Sequence, residues 1–145
     1  MAPSLKCYFA YGSNMSRFQM KQRCPKSKQR GVGQIFGFRF IINSRGVATI
    51  LPESDRIVCG VVWNLAAKDE NNLDRWEGVR QGLYTKERLP VVIEGRSYDA
   101  LVYVATDSSI GASRPGYIDK VIEAAKSQGL PRAYVAELES WAVKK

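Results

Sequence analysis

Two short segments combine residue types that chemistry needs. The first, Tyr8-Phe9-Ala10-Tyr11-Gly12-Ser13-Asn14, has the pattern of a strand running into a glycine turn and then a helix start. Gly12 would let a ligand come close to the backbone, and successive backbone N–H groups at such a turn form an anion-binding nest. A helix N-terminus just beyond adds a favourable field for a carboxylate or a developing oxyanion. The same residues also suit a plain turn in which Ser13 and Asn14 act as caps. A phosphate loop would need the longer Gly-x-x-x-x-Gly-Lys-Ser/Thr run, which is absent.

The second segment is Leu73-Asp74-Arg75-Trp76-Glu77-Gly78-Val79. On a helix, Leu73 lies four residues before Glu77 and three before Trp76, so Glu77 borders an apolar stripe. A carboxylate beside Trp76 loses water, and a helix C-terminus disfavours negative charge; both raise its pKa. A carboxylate tuned upward in this way serves as a general base near neutral pH. A solvated glutamate at a helix end accounts for the pattern equally well. Asp69 and Glu70 have the pattern of first-turn helix residues, and Asp119, Glu123, Glu137 and Glu139 that of helix surfaces, so spacing defines no carboxylate pair. Tyr117 is a candidate pocket hydroxyl, or a core tyrosine at a helix start.

The chain has no histidine. Ser-His-Asp and Cys-His pairs, imidazole acid/base work and histidine metal sites are therefore excluded. Carboxylates, tyrosines, lysines, arginines or backbone dipoles must carry any catalysis.

The elements that position these residues follow from periodicity. Lys6 to Phe9 predicts a first strand. Ser16-Arg17-Phe18-Gln19 fits a capping box, with a helix from about Ser16 to Arg23 and a loop after Pro25. Gly31 to Ile42 predicts a strand with Phe36, Phe38 and Phe40 on one face. A turn at Asn43 to Gly46, a strand Val47 to Leu51, a turn Pro52 to Asp55 and a strand Arg56 to Leu65 follow. The last of these is apolar on both faces, as in a small barrel or a sheet carrying helices. Lys68 to Glu77 predicts a short helix stopped by Gly78. Thr85 to Ile93 and Arg96 to Val104 predict a hairpin turning at Glu94-Gly95. Helical patterns run from about Arg114 to Gln128 and from Pro131 to Val143. The fold class is α+β, with a β-rich centre and peripheral helices, in one domain over residues 1–145.

Composition fits such a domain: 145 residues, 45% hydrophobic, 25% charged, 12 Gly and 6 Pro. No apolar run approaches the roughly 20 residues of a membrane helix, and the opening residues do not read as a secretory leader. Cys7, Cys24 and Cys59 are odd in number and widely spaced, which points to reduced thiols in a cytoplasm and to no metal site. The net charge is +8, yet residues 1–52 hold nine Lys and Arg and no acid. Arg17, Lys21, Arg23, Lys26, Lys28 and Arg30 form a cluster that suits either an anionic partner or a solvated face.

Tyr8-Phe9-Ala10-Tyr11-Gly12-Ser13-Asn14-Met15 resembles the opening signature of the gamma-glutamylcyclotransferase family. Further segments match in order. Gly46-Val47-Ala48-Thr49-Ile50 is similar to a family strand, Cys59-Gly60-Val61-Val62-Trp63 to another with Cys59 where Trp is frequent, and Leu73 to Val79 to the family's helix end. Gly82-x-Tyr84 follows, then Tyr117 with Gly129-Leu130-Pro131. Ser113-Arg114-Pro115-Gly116 departs from the family's usual Pro-Ser-Pro-x run. The resemblance covers nearly the whole chain. It implies a small mixed β-barrel-like sheet with peripheral helices, a substrate loop over Tyr8 to Ser13, Glu77 as catalytic acid/base, and Tyr117 as a pocket residue. It further implies a small-molecule gamma-glutamyl substrate cyclised to 5-oxoproline, with no cofactor and no metal. The loop ends in Asn14 rather than following the glutathione-specific branch, which favours general gamma-glutamyl peptides. Related proteins dimerise, so a homodimer is a candidate assembly. Two rival expectations stand beside this one: a basic nucleic-acid-binding barrel using the phenylalanines and the 17–30 cluster, and a catalytically silent interaction domain.

Overall fold

The computed structural model describes residues 6–142. Five strands, β1 (Lys6–Ala10), β2 (Lys28–Ile42), β3 (Ala48–Leu65), β4 (Tyr84–Ile93) and β5 (Arg96–Ala105), close into a barrel in the order β1-β3-β2-β4-β5. The seam where β1 meets β5 is parallel, and the other pairings are antiparallel. Around the barrel lie α1 (Arg17–Arg23), α2 (Ala67–Trp76), α3 (Tyr117–Ser127) and α4 (Arg132–Ala142), with a single 3-10 turn at Ser13–Met15.

Strand β3 explains why a barrel forms. Val58, Val61 and Val62 are fully buried and Cys59, Trp63 and Leu65 nearly so, so both of its faces need covering. One face fills the barrel, and helices cover the other. Phe40 meets Trp141 of α4 edge to face at 6.3 Å between ring centres. Burying these apolar surfaces supplies the main favourable term, roughly 25 cal/mol per Å².

Several expectations are corrected. The turn at Pro52 to Asp55 does not divide two strands; β3 is continuous from Ala48 to Leu65. Phe36 pairs with Ile57 and Phe38 with Pro52, which leaves residues 53–56 opposite Gly37 alone. The turn-forming residues thus make a bulge inside a ladder rather than a break, and Asp55 carries its positive φ of 67°. The same irregularity breaks the phenylalanine alternation: Phe36 is 55% exposed while Phe40 is 4% exposed. Strand β2 starts at Lys28, inside the expected loop, because its polar end pairs with Asn64 and Trp63 of β3. That pairing leaves no hydrophobic signal in the sequence.

The helix expected from Arg114 starts at Tyr117, since Gly116 before it adopts a left-handed φ of 78°. The last helix begins at Arg132, and its expected end at Val143 lies outside the described residues. The capping box is half formed: Ser16 Oγ accepts from Gln19 N at 3.2 Å, whereas the Gln19 amide donates to Ser13 Oγ and Asn14 Oδ1. No described helix is long and apolar enough to cross a membrane.

Candidate active site

Strand β1 lies between β3 and β5, so its C-terminal end delivers the following loop to one mouth of the barrel. The loop is held by its own polar groups. Asn14, 4% exposed, donates through Nδ2 to Tyr8 Oη at 3.0 Å and accepts at Oδ1 from Gln19 Nε2 and Arg23 Nη1. Trp63 Nε1 donates to its carbonyl at 3.1 Å. Gln128, from the end of α3, donates to Met15 O at 2.9 Å. Held through both its amide nitrogen and its amide oxygen, Asn14 shapes the loop.

The loop faces a cleft of about 260 Å³. Tyr8, Phe9, Ala10, Tyr11, Gly12, Ser13 and Asn14 border it, as do Glu77 from the end of α2 and Tyr117 from the start of α3. All nine candidates from the sequence therefore surround one space, though they come from three separate parts of the chain. Among the described residues, the amides of Gly12 and Asn14 have no protein acceptor, while Met15 N and Ser16 N close the 3-10 turn on Gly12 O and Ser13 O. Unpaired amides at such a turn are donors for an anion.

Glu77 is not the last residue of α2 but its C-cap, with φ −85° and ψ −5° and its amide on Leu73 O at 2.8 Å. The residue is half-buried, and among the described residues its carboxyl makes no hydrogen bond or ion pair. Burial pushes its pKa up to about 7, with the Arg23 guanidinium pulling modestly the other way. Trp76 was expected to shield it, yet this ring is 62% exposed at the cleft rim, with the Arg23 guanidinium stacked over it at 4.1 Å. Desolvation of Glu77 comes from the cleft walls as a whole.

Tyrosines form most of those walls. Tyr117 is held near the neutral phenol, its pKa pushed up to about 12 by burial, against the favourable amides of Ala48 and Ser13 and with help from the Glu77 charge. Its hydroxyl accepts from Ala48 N at 3.3 Å. Tyr84 donates to Ala48 O at 2.7 Å, and Tyr103 donates to Asp74 Oδ1 at 2.7 Å. Tyr84, Tyr103, Arg23, Arg45 and Arg114 border the cleft too, and sequence spacing did not single them out as site residues. Tyr84 stood in a family-like motif, and Arg114 marked a departure from one; nothing in the sequence signalled Tyr103 or Arg45. Of the 17–30 basic cluster only Arg23 reaches the cleft, and Arg17, Lys21, Lys26, Lys28 and Arg30 are exposed.

A closed barrel whose glycine loop faces an isolated, desolvated carboxylate is an arrangement for binding a small anionic molecule and moving a proton on it. Comparison with known proteins agrees. A family model described as AIG2-like matches residues 57–138, the part that holds Glu77 and Tyr117. The chain is 31% identical to the gamma-glutamylcyclotransferase of Homo sapiens over 92% of this chain and 77% of that protein. The Bos taurus protein of the same name is 29% identical over the same shares. A solved structure described as gamma-glutamyl cyclotransferase superposes with a TM-score of 0.87 at 28% identity, over 94% of this chain and 87% of that one. The chain belongs to the gamma-glutamylcyclotransferase family of AIG2-like proteins.

Proposed function

We propose that this protein cyclises gamma-glutamyl compounds, releasing 5-oxoproline and a free amine or amino acid. The observation that carries this is Glu77, a desolvated carboxylate without a protein partner, facing the unpaired amides of the Gly12 turn across one small cleft. A gamma-glutamyl compound brings its own nucleophile, the α-amine, a few bonds from its own γ-carbonyl. Ring closure therefore needs no enzyme nucleophile, and holding the substrate folded back contributes up to roughly 7–11 kcal/mol of the barrier.

Glu77, titrating near 7, takes a proton from the α-ammonium. The freed amine attacks the γ-carbonyl, and the C–N bond to the leaving amine breaks as Glu77 returns its proton to that amine; the ring nitrogen gives up its second proton, which leaves with the amine as its ammonium form. The unpaired amides of Gly12 and Asn14 stabilise the oxyanion or hold the α-carboxylate, and the neutral Tyr117 hydroxyl adds a donor; losing one such donor typically costs about 2.7–4 kcal/mol. The three free cysteines fit a reducing, cytoplasmic setting.

The test is 5-oxoproline release, followed by mass spectrometry, from a panel of gamma-glutamyl amino acids, glutathione and gamma-glutamyl amines. Release from any of them that disappears in Glu77→Gln is the expected outcome. Full turnover by a folded Glu77→Gln protein would overturn the role given to Glu77, and silence of the native protein across the panel would overturn the reaction.

A further inference from the structure

Helix α2 carries Glu77 at its C-cap, yet among its apolar side chains only Leu73 is buried. A helix is normally oriented by a wide apolar stripe, and a single contact leaves rotation about itself open. Polar ties on two sides fix that rotation. Toward α1, Asp69 accepts from Lys26 N and Ser27 Oγ, and Asn72 Nδ2 donates to Arg23 O at 3.1 Å. Toward the barrel the tie is Lys86 of β4, whose ammonium donates to Glu70 Oε2 and, at 3.1 Å, to Asp74 Oδ2. Lys6 of β1 reaches the other oxygen of Glu70 at 2.9 Å, and Tyr103 of β5 donates to Asp74 Oδ1 at 2.7 Å. Three strands thus hold two carboxylates of one helix.

Glu70, Asp74 and Glu77 stand at i, i+4 and i+7, so they form one row along α2. Glu77 keeps right-handed helical angles, so the phase of the row carries through to it. At that spacing Glu70 and Asp74 would repel each other without a cation between them, and Lys86 supplies the cation. Burial alone would push the Glu70 carboxyl up, but hydrogen bonds from Lys86 and Lys6 outweigh it and hold it below its ordinary value. The Glu70 side chain is only 14% exposed. A lysine shared by two part-buried carboxylates makes a network, where an isolated surface pair would contribute little. We propose that Lys86 is a positioning residue for Glu77: by clamping Glu70 and Asp74 to the barrel wall, it keeps the third carboxylate of the row turned into the cleft. The inference rests on the catalytic role given to Glu77 and extends the site to a lysine that does not border the cleft.

The groups that face Glu77 are Arg23 of α1 and the phenols of Tyr8, Tyr11, Tyr84 and Tyr117. Arg45 and Arg114 border the cleft and act on Tyr84. All four phenols are pushed up and stay neutral, so the charge that acts on Glu77 is that of Arg23. A change in its titration on replacing Lys86 therefore reports water reaching the carboxyl, since burial is what raises it.

The experiment follows the Glu77 carboxyl by carbon NMR, its signal assigned by its loss in Glu77→Gln, alongside steady-state release of 5-oxoproline. Lys86→Met should move the titration down by about one pH unit. It should also lower kcat about tenfold with KM changed less than about twofold, the scale expected when a positioned group is displaced by a fraction of an ångström. Lys86→Arg, which keeps a cation between the same carboxylates, should restore most of both. Glu70→Gln, which removes one half of the clamp, should shift the titration the same way by less. A lower thermal midpoint with titration and kcat unmoved would assign Lys86 to stability alone and overturn the proposal. The NMR titration needs no turnover. Silence of the native protein across the gamma-glutamyl panel would therefore sink the reaction, and the titration would still decide the clamp.

Discussion

The hydroxyl of Tyr117 lies 3.0 Å from the point where a Cβ on Gly12 would stand, and Ala48 Cβ lies 3.6 Å from it. The two residues are far apart in sequence, and their approach sets the width of the cleft at the loop. Gly12 has φ −114°, so its lack of a side chain serves space rather than a left-handed backbone. Gly12→Ala must push the phenol aside. A Cβ at that distance asks the phenol to give by a few tenths of an ångström, and since a displacement near 1 Å in a positioned site costs about 10²-fold, kcat/KM for 5-oxoproline release should fall by less than that factor. The thermal midpoint should change little, and unaltered kinetics would show that Tyr117 takes no part in holding the substrate.

The pH dependence follows from Glu77. A base with a pKa near 7 makes kcat/KM rise through about pH 7 from the acid side. Stability runs the opposite way. The folded pKa lies above the ordinary glutamate value of 4.5, so between about 4.5 and 7 the native state holds more protons than the unfolded state. Rising pH therefore removes stability across that window. Glu77→Gln, which should abolish turnover, should also flatten the stability profile, read by denaturant unfolding at pH 5 and pH 8.

Arg23 offers a sharper check, because it acts on Glu77 by charge without belonging to the same element. Its guanidinium favours the ionised carboxylate, so Arg23→Met should move the acid limb of the pH–rate profile to higher pH. Arg23→Lys should restore most of it. A merely structural role, through Asn14 Oδ1 at 3.0 Å or the Trp76 ring at 4.1 Å, would lower activity without moving the limb.

Asp69 supplies a stability prediction. It is 2% exposed, and Oδ2 accepts from Lys26 N at 2.9 Å and Ser27 Oγ at 2.8 Å. Ser27 Oγ in turn accepts from Ala66 N at 3.2 Å. Asp69→Ala leaves the part-buried Lys26 amide and Ser27 hydroxyl without their acceptor and should cost about 2 kcal/mol, or about 8 °C in thermal midpoint. Activity per folded molecule should stay unchanged.

Local order determined much of what could be read in advance. The glycine turn after β1, the hairpin at Glu94-Gly95 and the apolar strand around Val61 all depend on neighbours in sequence, so their patterns were legible. The order of motifs also tied Glu77, Tyr117 and the loop Tyr8 to Asn14 to one family. What local order could not carry was decided by closure of the barrel. Asp69 reads as an ordinary first-turn helix residue and is a buried anchor, because the loop it binds, at Lys26 and Ser27, is distant in sequence. The Phe36 to Phe40 alternation fails because the bulge opposite Gly37 is a property of two strands together. Tyr84, Tyr103, Arg45 and Arg114 join Glu77 because β4, β5, the β2–β3 turn and the segment before α3 open on the same mouth. Sequence spacing specifies which face of its own element a residue occupies, and only the packing of elements against one another brings those faces to a common cleft.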